Sequence, residues 1–216
     1  YLWLGRGVLD NQFALYPFVV ALGYFFVGEQ IVLARLVSIA FGLLSIFVLY
    51  KIGSFTGDRL GGLCAALLFA LAPIHIYFSR AVMADSMLLC LWLAAIYFFL
   101  VWIRQRRVWA YAVSLASMTL AVLVKLFPIT FLGALLLYGV IKLKRTVRHS
   151  VMLLVYWLVP ALSGFYWYVL KTPWVTDVEI YRWKLAGIAQ IPDVLFTGYP
   201  WRVPNDPWWF GFLAVV

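Results

Sequence analysis

Two-thirds of the 216 residues (66%) are apolar and only 12% are charged, against about half and about a quarter in a soluble domain. Such a chain cannot cover itself with polar surface, which excludes water as its main solvent and leaves lipid. The formal net charge of +9 does not point to nucleic acid, because it divides between two faces, with nine of the 17 basic residues in three short loops on one side and eight scattered over the other.

The chain opens on YLWLGRG, without a starting Met, and closes on WWFGFLAVV, inside an apolar run, so it reads as an internal piece of a longer protein. Phe13–Val27 is apolar but short and holds Pro17, so it could lie along the membrane interface instead of crossing. Runs of spanning length or slightly less follow at Ile31–Tyr50, Gly61–Tyr77, Ser86–Ile103, Val108–Val124, Pro128–Ile141 and Val151–Leu170, and another begins at Trp208. The expected fold is therefore all-α: a polytopic membrane bundle of about six to seven transmembrane helices plus an outer interfacial amphipathic helix. In domain terms, 1–30 is an outer loop carrying that interfacial helix, 31–170 the transmembrane core, 171–207 an outer loop, and 208–216 the start of a further span.

The first connection, GSFTGDRLGG, spaces Gly53, Gly57 and Gly61 as GxxxG. It falls in a turn rather than inside an apolar 20-mer, so these read as turn glycines and not as a dimerisation face. Cys64 and Cys90 stand singly inside apolar runs and read as small buried hydrophobes, with no CxxC or Cys/His cluster.

Alternate loops hold Lys51 and Arg59; Arg104, Arg106 and Arg107; and Lys142, Lys144, Arg145 and Arg148. By the positive-inside rule that face is cytoplasmic. Of the acids, only Asp58 shares it; Asp10, Glu29, Asp85, Asp177, Glu179, Asp193 and Asp206 fall at the other side. Acids contribute little to topology, so a working outer surface is one explanation for the bias.

The stretch YFSRAVMADS sets Arg80 and Asp85 between two apolar spans, at the outer boundary. Ionisable groups there are functional candidates. The bland alternatives are that Asp85 favours a helix N-terminus and Arg80 snorkels. His75 has no metal-type partner at i+3 or i+4 and reads as part of an aromatic wall.

The succession ARLVSIAFGLLSIFVLYKIG, GGLCAALLFALAPIHIYFSRAVMADSMLLCLWLAAIYFFL and LASMTLAVLVKLFPITFLGALLLYG resembles the membrane core of GT-C glycosyltransferases. It is most similar to the branch of dolichyl-phosphate-mannose–protein mannosyltransferases and bacterial lipid A aminoarabinose transferases. The motifs that carry the resemblance are Arg35, Pro73, Tyr77–Ser79–Arg80 with Asp85, and Lys125, in that order, over roughly residues 1–140.

The resemblance implies an integral-membrane, inverting glycosyltransferase on the extracytoplasmic face. Its donor would be a polyprenyl-phosphate sugar and its acceptor a hydroxyl on a protein or a lipid. It implies that the principal catalytic acid precedes Tyr1. It makes Asp85 and Arg80 the catalytic candidates, with Asp85 orienting Arg80 or the acceptor. Arg80, Lys125 and Arg35 become candidates for the donor phosphate, Arg35 also as a partner for one of the acids. Lys125 has a bland alternative too, a lysine snorkelling at a helix end. No cofactor is called for, with a divalent metal left open. Trp183 and Trp201, aromatic rings among charges in the outer segment, fit either a sugar face or an aromatic belt. The alternative function is a secondary transporter or lipid flippase. Transport paths run through mid-membrane charges and broken helices, whereas the charges here collect at one rim. A non-catalytic scaffold would leave the one-sided acids unexplained.

Overall fold

Proline and glycine decide where the apolar runs of this chain bend and where they touch. The computed structural model describes residues 13–28, 30–143 and 147–171, all within the compact unit Tyr1–Thr172. Among these residues the fold is all-helical, without strands. The helices are α1 (Leu15–Val27), α2 (Ile31–Thr56), α3 (Arg59–Leu71), α4 (Pro73–Arg80), α5 (Asp85–Gln105), α6 (Val108–Val124), α7 (Ile129–Lys142) and α8 (Val147–Phe165). The last turn of α8 widens into a π-helix over Tyr166–Lys171.

Among the described residues, α2, α5 and the α8 segment Val147–Tyr168 are long and apolar enough to cross a membrane, and α3 with α4 makes a fourth if taken as one broken span. Helices α1, α6 and α7 are apolar but shorter. Exposed Leu43, Phe47, Leu67, Leu68, Leu137 and Leu162 cover the outside of the bundle with apolar surface, as a lipid solvent requires. The protein is a helical membrane bundle.

The run read as one span over Gly61–Tyr77 is two helices bent by 62°. Pro73 is the cause. It lacks an N–H and its ring clashes with the carbonyl four residues back. The residue before it, Ala72, is pushed to extended backbone (φ −63°, ψ 123°). Pro73 then serves as the first residue of α4, where a missing N–H costs nothing.

Helix α2 runs six residues beyond the expected Tyr50, to Thr56, so Gly53 is helical rather than a turn glycine. It faces Gly62 of α3: a Cβ on Gly53 would lie 2.7 Å from the Gly62 Cα. The two helices meet backbone to backbone there. Asp58 caps α3 by accepting from the Gly61 N–H at 2.7 Å, which makes the turn tight.

The α1 helix carries no charge. Its outward face presents Phe18, Leu22, Phe25 and Phe26, so it is apolar on its exposed side as well as its packed side. The expected amphipathic pattern is absent because no polar residue lies on that face.

Helix α5 is the centre of the bundle, packed against α2 on one side and α6 on the other, with α8 behind α6. Ala95, Phe99 and Trp102 of α5 pack with Ala110, Met118 and Val122 of α6 and with Tyr156 of α8. Gly164 of α8 permits the approach to α6, since a Cβ would sit 2.8 Å from Val122 Cγ1. Polar atoms in this core are shared across helices. Ser114 Oγ donates to the Ala95 carbonyl at 2.7 Å, and the Tyr156 hydroxyl lies 2.8 Å from Ser114 Oγ. Tyr156→Phe is expected to cost about 0.5–1 kcal/mol, the size of an interhelical hydrogen bond in a membrane protein. Tyr156→Ala, which also opens a cavity, should cost about 3–5 kcal/mol. Thermal unfolding of the detergent-solubilised protein in the three forms checks the order.

Candidate active site

Two antiparallel helices joined by a short loop bring the start of the first beside the end of the second. Helices α5 and α6 are such a pair, joined by Arg106 and Arg107, with Arg106 in the left-handed region (φ 57°). The N-terminus of α5 thus meets the C-terminus of α6, and each end carries one charge.

Asp85 is the first residue of α5, where a carboxylate opposes the positive end of the helix dipole. Its neighbour Ser86 donates through Oγ to the Phe78 carbonyl of α4 at 2.9 Å, tying the end of α4 to the start of α5. Lys125 closes α6 in extended backbone (φ −146°, ψ 145°), its own N–H bonded to the Ala121 carbonyl. Pro128, three residues on, prevents the helix from continuing.

Lys125 Nζ donates to Asp85 Oδ1 at 2.5 Å, the only ion pair among the described residues. The two side chains are 34% and 22% exposed. A pair this open contributes little to stability, so folding alone gives weak reason to keep it.

The pair stands in the wall of an open cavity of about 690 Å³. The opposite wall is α1, through Tyr16, Pro17, Ala21 and Tyr24, and the loop Val82–Ala84 forms the rim. Tyr16, 5% exposed, donates its hydroxyl to the Ala34 carbonyl (3.0 Å) and shares a hydrogen bond with Ser38 Oγ (2.7 Å). Burial raises the phenol pKa above its ordinary value, so it stays protonated. A second cavity of about 360 Å³, nearly all apolar, begins at Leu126 and runs between the α6–α7 turn and α8, past Ile129, Trp157 and Phe165.

The structure brings Asp85 and Lys125 together and leaves Arg80 and Arg35 outside the cavity wall. Arg80 is exposed on the last turn of α4, where it complements the helix dipole. It does not pair with Asp85; α4 ends at Arg80, and the Asp85 carboxylate is already taken by Lys125. Arg35 is exposed on α2 and is not the ion-pair partner of Asp85, although its neighbour Ala34 faces the cavity. Trp183 and Trp201 lie outside the described residues. His75 is 7% exposed and packs its ring on Phe69 at 4.2 Å, in an aromatic setting. Among the described residues, no three His, Cys, Asp or Glu side chains converge.

Residue-type reasoning missed Tyr16 and Tyr24. Their signal was present: tyrosines eight apart in an uncharged helix share a face with Val20.

No curated protein and no solved structure matches this chain. The model of the family described as dolichyl-phosphate-mannose-protein mannosyltransferase matches residues 14–167, a stretch that includes α1, the α4–α5 corner, Asp85 and Lys125. With more than two-thirds of its length in that match, the chain belongs to the dolichyl-phosphate-mannose-protein mannosyltransferase family and is a membrane glycosyltransferase of the GT-C type.

Proposed function

We propose that this protein spans the membrane several times and transfers a sugar, on the extracytoplasmic face, from a polyprenyl-phosphate donor to an acceptor hydroxyl with inversion. The observation that carries the reading is the Lys125–Asp85 pair in the wall of an open cavity, at the end of the bundle opposite the basic loops. The helix ends and connections at α2–α3, α5–α6 and α7–α8 carry Lys51, Arg59, Arg104, Arg106, Arg107 and Lys142, which supports a cytoplasmic side there by the positive-inside rule.

In the reaction the acceptor oxygen attacks the anomeric carbon, a carboxylate takes its proton, and the carbon–oxygen bond to the lipid phosphate breaks. The electron pair leaves with the phosphate. Inversion needs one displacement and no covalent intermediate. Charge grows on the departing phosphate, so a cation fixed beside it lowers the barrier. An ammonium has three N–H donors. Asp85 occupies one on Lys125 and leaves two for phosphate oxygens. In this role Asp85 is a positioning residue, and the proton acceptor is a separate carboxylate. The Lys125–Asp85 pair is neutral as a unit, so a phosphate calls for a further cation. Arg80, exposed five residues before Asp85, is our candidate for that cation.

The lipid tail must stay in apolar surroundings while its phosphate reaches water. The apolar groove that starts at Leu126, next in the chain to Lys125, suits that need. The outer aromatic residues Trp183 and Trp201 remain candidates for the sugar face, and the acceptor is a hydroxyl of a protein or a lipid.

Transfer of radiolabelled sugar from a synthetic polyprenyl-phosphate donor, with the full-length protein that contains this chain in liposomes, tests the reading. We expect activity in the native chain and a fall of about tenfold or more in Arg80→Ala, the effect of losing a charge-stabilising group. A reporter fused after Arg107 should read cytoplasmic and one near Asp193 exterior. Transfer that is absent, with lipid or solute transported across the bilayer instead, would favour the transporter or flippase reading.

A further inference from the structure

We propose that Tyr16 is a positioning residue: its hydroxyl latches α1 onto α2, and α1 pivots about Gly28 to open and close the cavity that holds Lys125 and Asp85. The inference concerns how that cavity is held shut and deepens the transferase reading above, on which its relation to a donor rests.

Helix α1 is packed on one face and bare on the other. Its packed residues, Tyr16 and Val20, lie among Ala34, Ala84, Met87, Leu88, Ala121 and Val124. Its other face, with Phe18 60%, Phe25 85% and Phe26 81% exposed, is apolar too. In lipid, burying apolar surface between helices gains little over contact with acyl chains, so interhelical hydrogen bonds carry more of the association. Among the described residues, the Tyr16 hydroxyl makes the only side-chain hydrogen bonds from α1 to another helix, to the Ala34 carbonyl and Ser38 Oγ. The edge contact of Phe13 with Trp167, at 4.9 Å, precedes the helix and adds a ring contact without a hydrogen bond.

The other end of α1 is built differently. Gly28 caps it at φ +85°, a conformation that favours glycine, and a Cβ there would meet nothing within 4 Å. The helix is therefore tied at its first turn and connected at its last through an uncrowded glycine. A rigid rod fixed at one end by two hydrogen bonds, with a permissive joint at the other, has one easy motion. Release of the latch swings the first turn away from α2. That turn carries Tyr16 and Pro17, which line the cavity, so the motion opens the cavity sideways toward lipid. Ala34, 2% exposed beneath Tyr16, becomes reachable only then.

The test reads that exposure without depending on catalysis. The full chain is prepared with Cys64→Ala and Ala34→Cys, keeping native Cys90, which is buried in α5. Labelling by a lipid-soluble maleimide is followed by mass spectrometry, site by site. With Tyr16 and Ser38 intact, the thiol at position 34 should label slowly. Tyr16→Phe, which keeps the ring and loses the hydroxyl with both its hydrogen bonds, should speed it roughly three- to tenfold, the population change expected from interhelical hydrogen bonds of this kind. Ser38→Ala should do the same and Ser38→Thr should not. Cys90 should stay slow throughout. Equal rates at position 34 in native and Tyr16→Phe chains would overturn the latch, as would Cys90 labelling rising in step, which would mean general loosening. A synthetic polyprenyl monophosphate is then added. Slower labelling at position 34 supports the latch as part of the donor site. A latch effect that persists while the phosphate gives no protection contradicts the reading of the site and leaves the latch standing.

Discussion

Lys125→Ala in the full chain is expected to lower sugar transfer by about a hundredfold or more, with kcat falling further than the donor KM rises. The magnitude follows from losing a fixed donor aimed at developing charge, which costs about 10²–10³ in kcat. Asp85→Asn should be milder, by about tenfold, because it leaves the ammonium in place and removes only its anchor. Lys125→Arg keeps the charge but changes the compact ammonium for a planar fork and should recover only part of the rate. The pair is exposed enough that none of these changes should unfold the protein, and each variant should insert and purify in native yield. Transfer assayed beside a thermal unfolding profile separates the two effects. Native rates in Lys125→Ala would remove the residue from the reaction.

Gly62→Val should be the most damaging single substitution outside the site. A Cβ there would lie 2.8 Å from both the Ser54 N and the Tyr50 carbonyl oxygen, atoms of helix α2 that cannot rotate away. Overpacking in a tight core costs about 1–3 kcal/mol when side chains can yield, and here backbone must move instead. We expect about 3 kcal/mol or more, seen as loss of most correctly folded protein on size-exclusion chromatography in detergent. Gly133 of α7 gives the contrast, since a Cβ there meets nothing within 4 Å. Gly133→Ala should be neutral, or stabilising by up to about 1 kcal/mol through helix propensity. Equal behaviour of the two variants would refute the backbone contact between α2 and α3.

Much of the helical layout is legible in the residues alone. Helix α6 is read from Val108 to Val124 and found with those bounds, because charged Arg107 and Lys125 flank an unbroken apolar run. The same signal does not show the break inside Gly61–Tyr77. Apolarity continues across Pro73 while the backbone does not, and proline chemistry, rather than hydropathy, sets the 62° bend. Gly53 is misread because sequence distance from a turn does not show which helix face meets its neighbour. Lys125 and Asp85 each stand out as charges at apolar boundaries. Their partnership does not, since they are 40 residues apart and meet only through the antiparallel closure of α5 on α6. Arg80 lies nearer to Asp85 in sequence, yet the ion-pair partner of Asp85 is Lys125. Tyr16 looks like an ordinary interfacial aromatic until the hydrogen bonds of its hydroxyl to Ala34 and Ser38 are seen.

The central claim is that Lys125, held by Asp85, receives the phosphate of a lipid-linked donor. Its most direct test is the affinity of the full chain in nanodiscs for a synthetic polyprenyl monophosphate, measured by native mass spectrometry. We predict binding by the native chain, weakening by about tenfold or more in Lys125→Ala, as expected for loss of a charge-assisted contact, and near-native affinity in Lys125→Arg. Equal affinity of the native and Lys125→Ala chains would contradict the account.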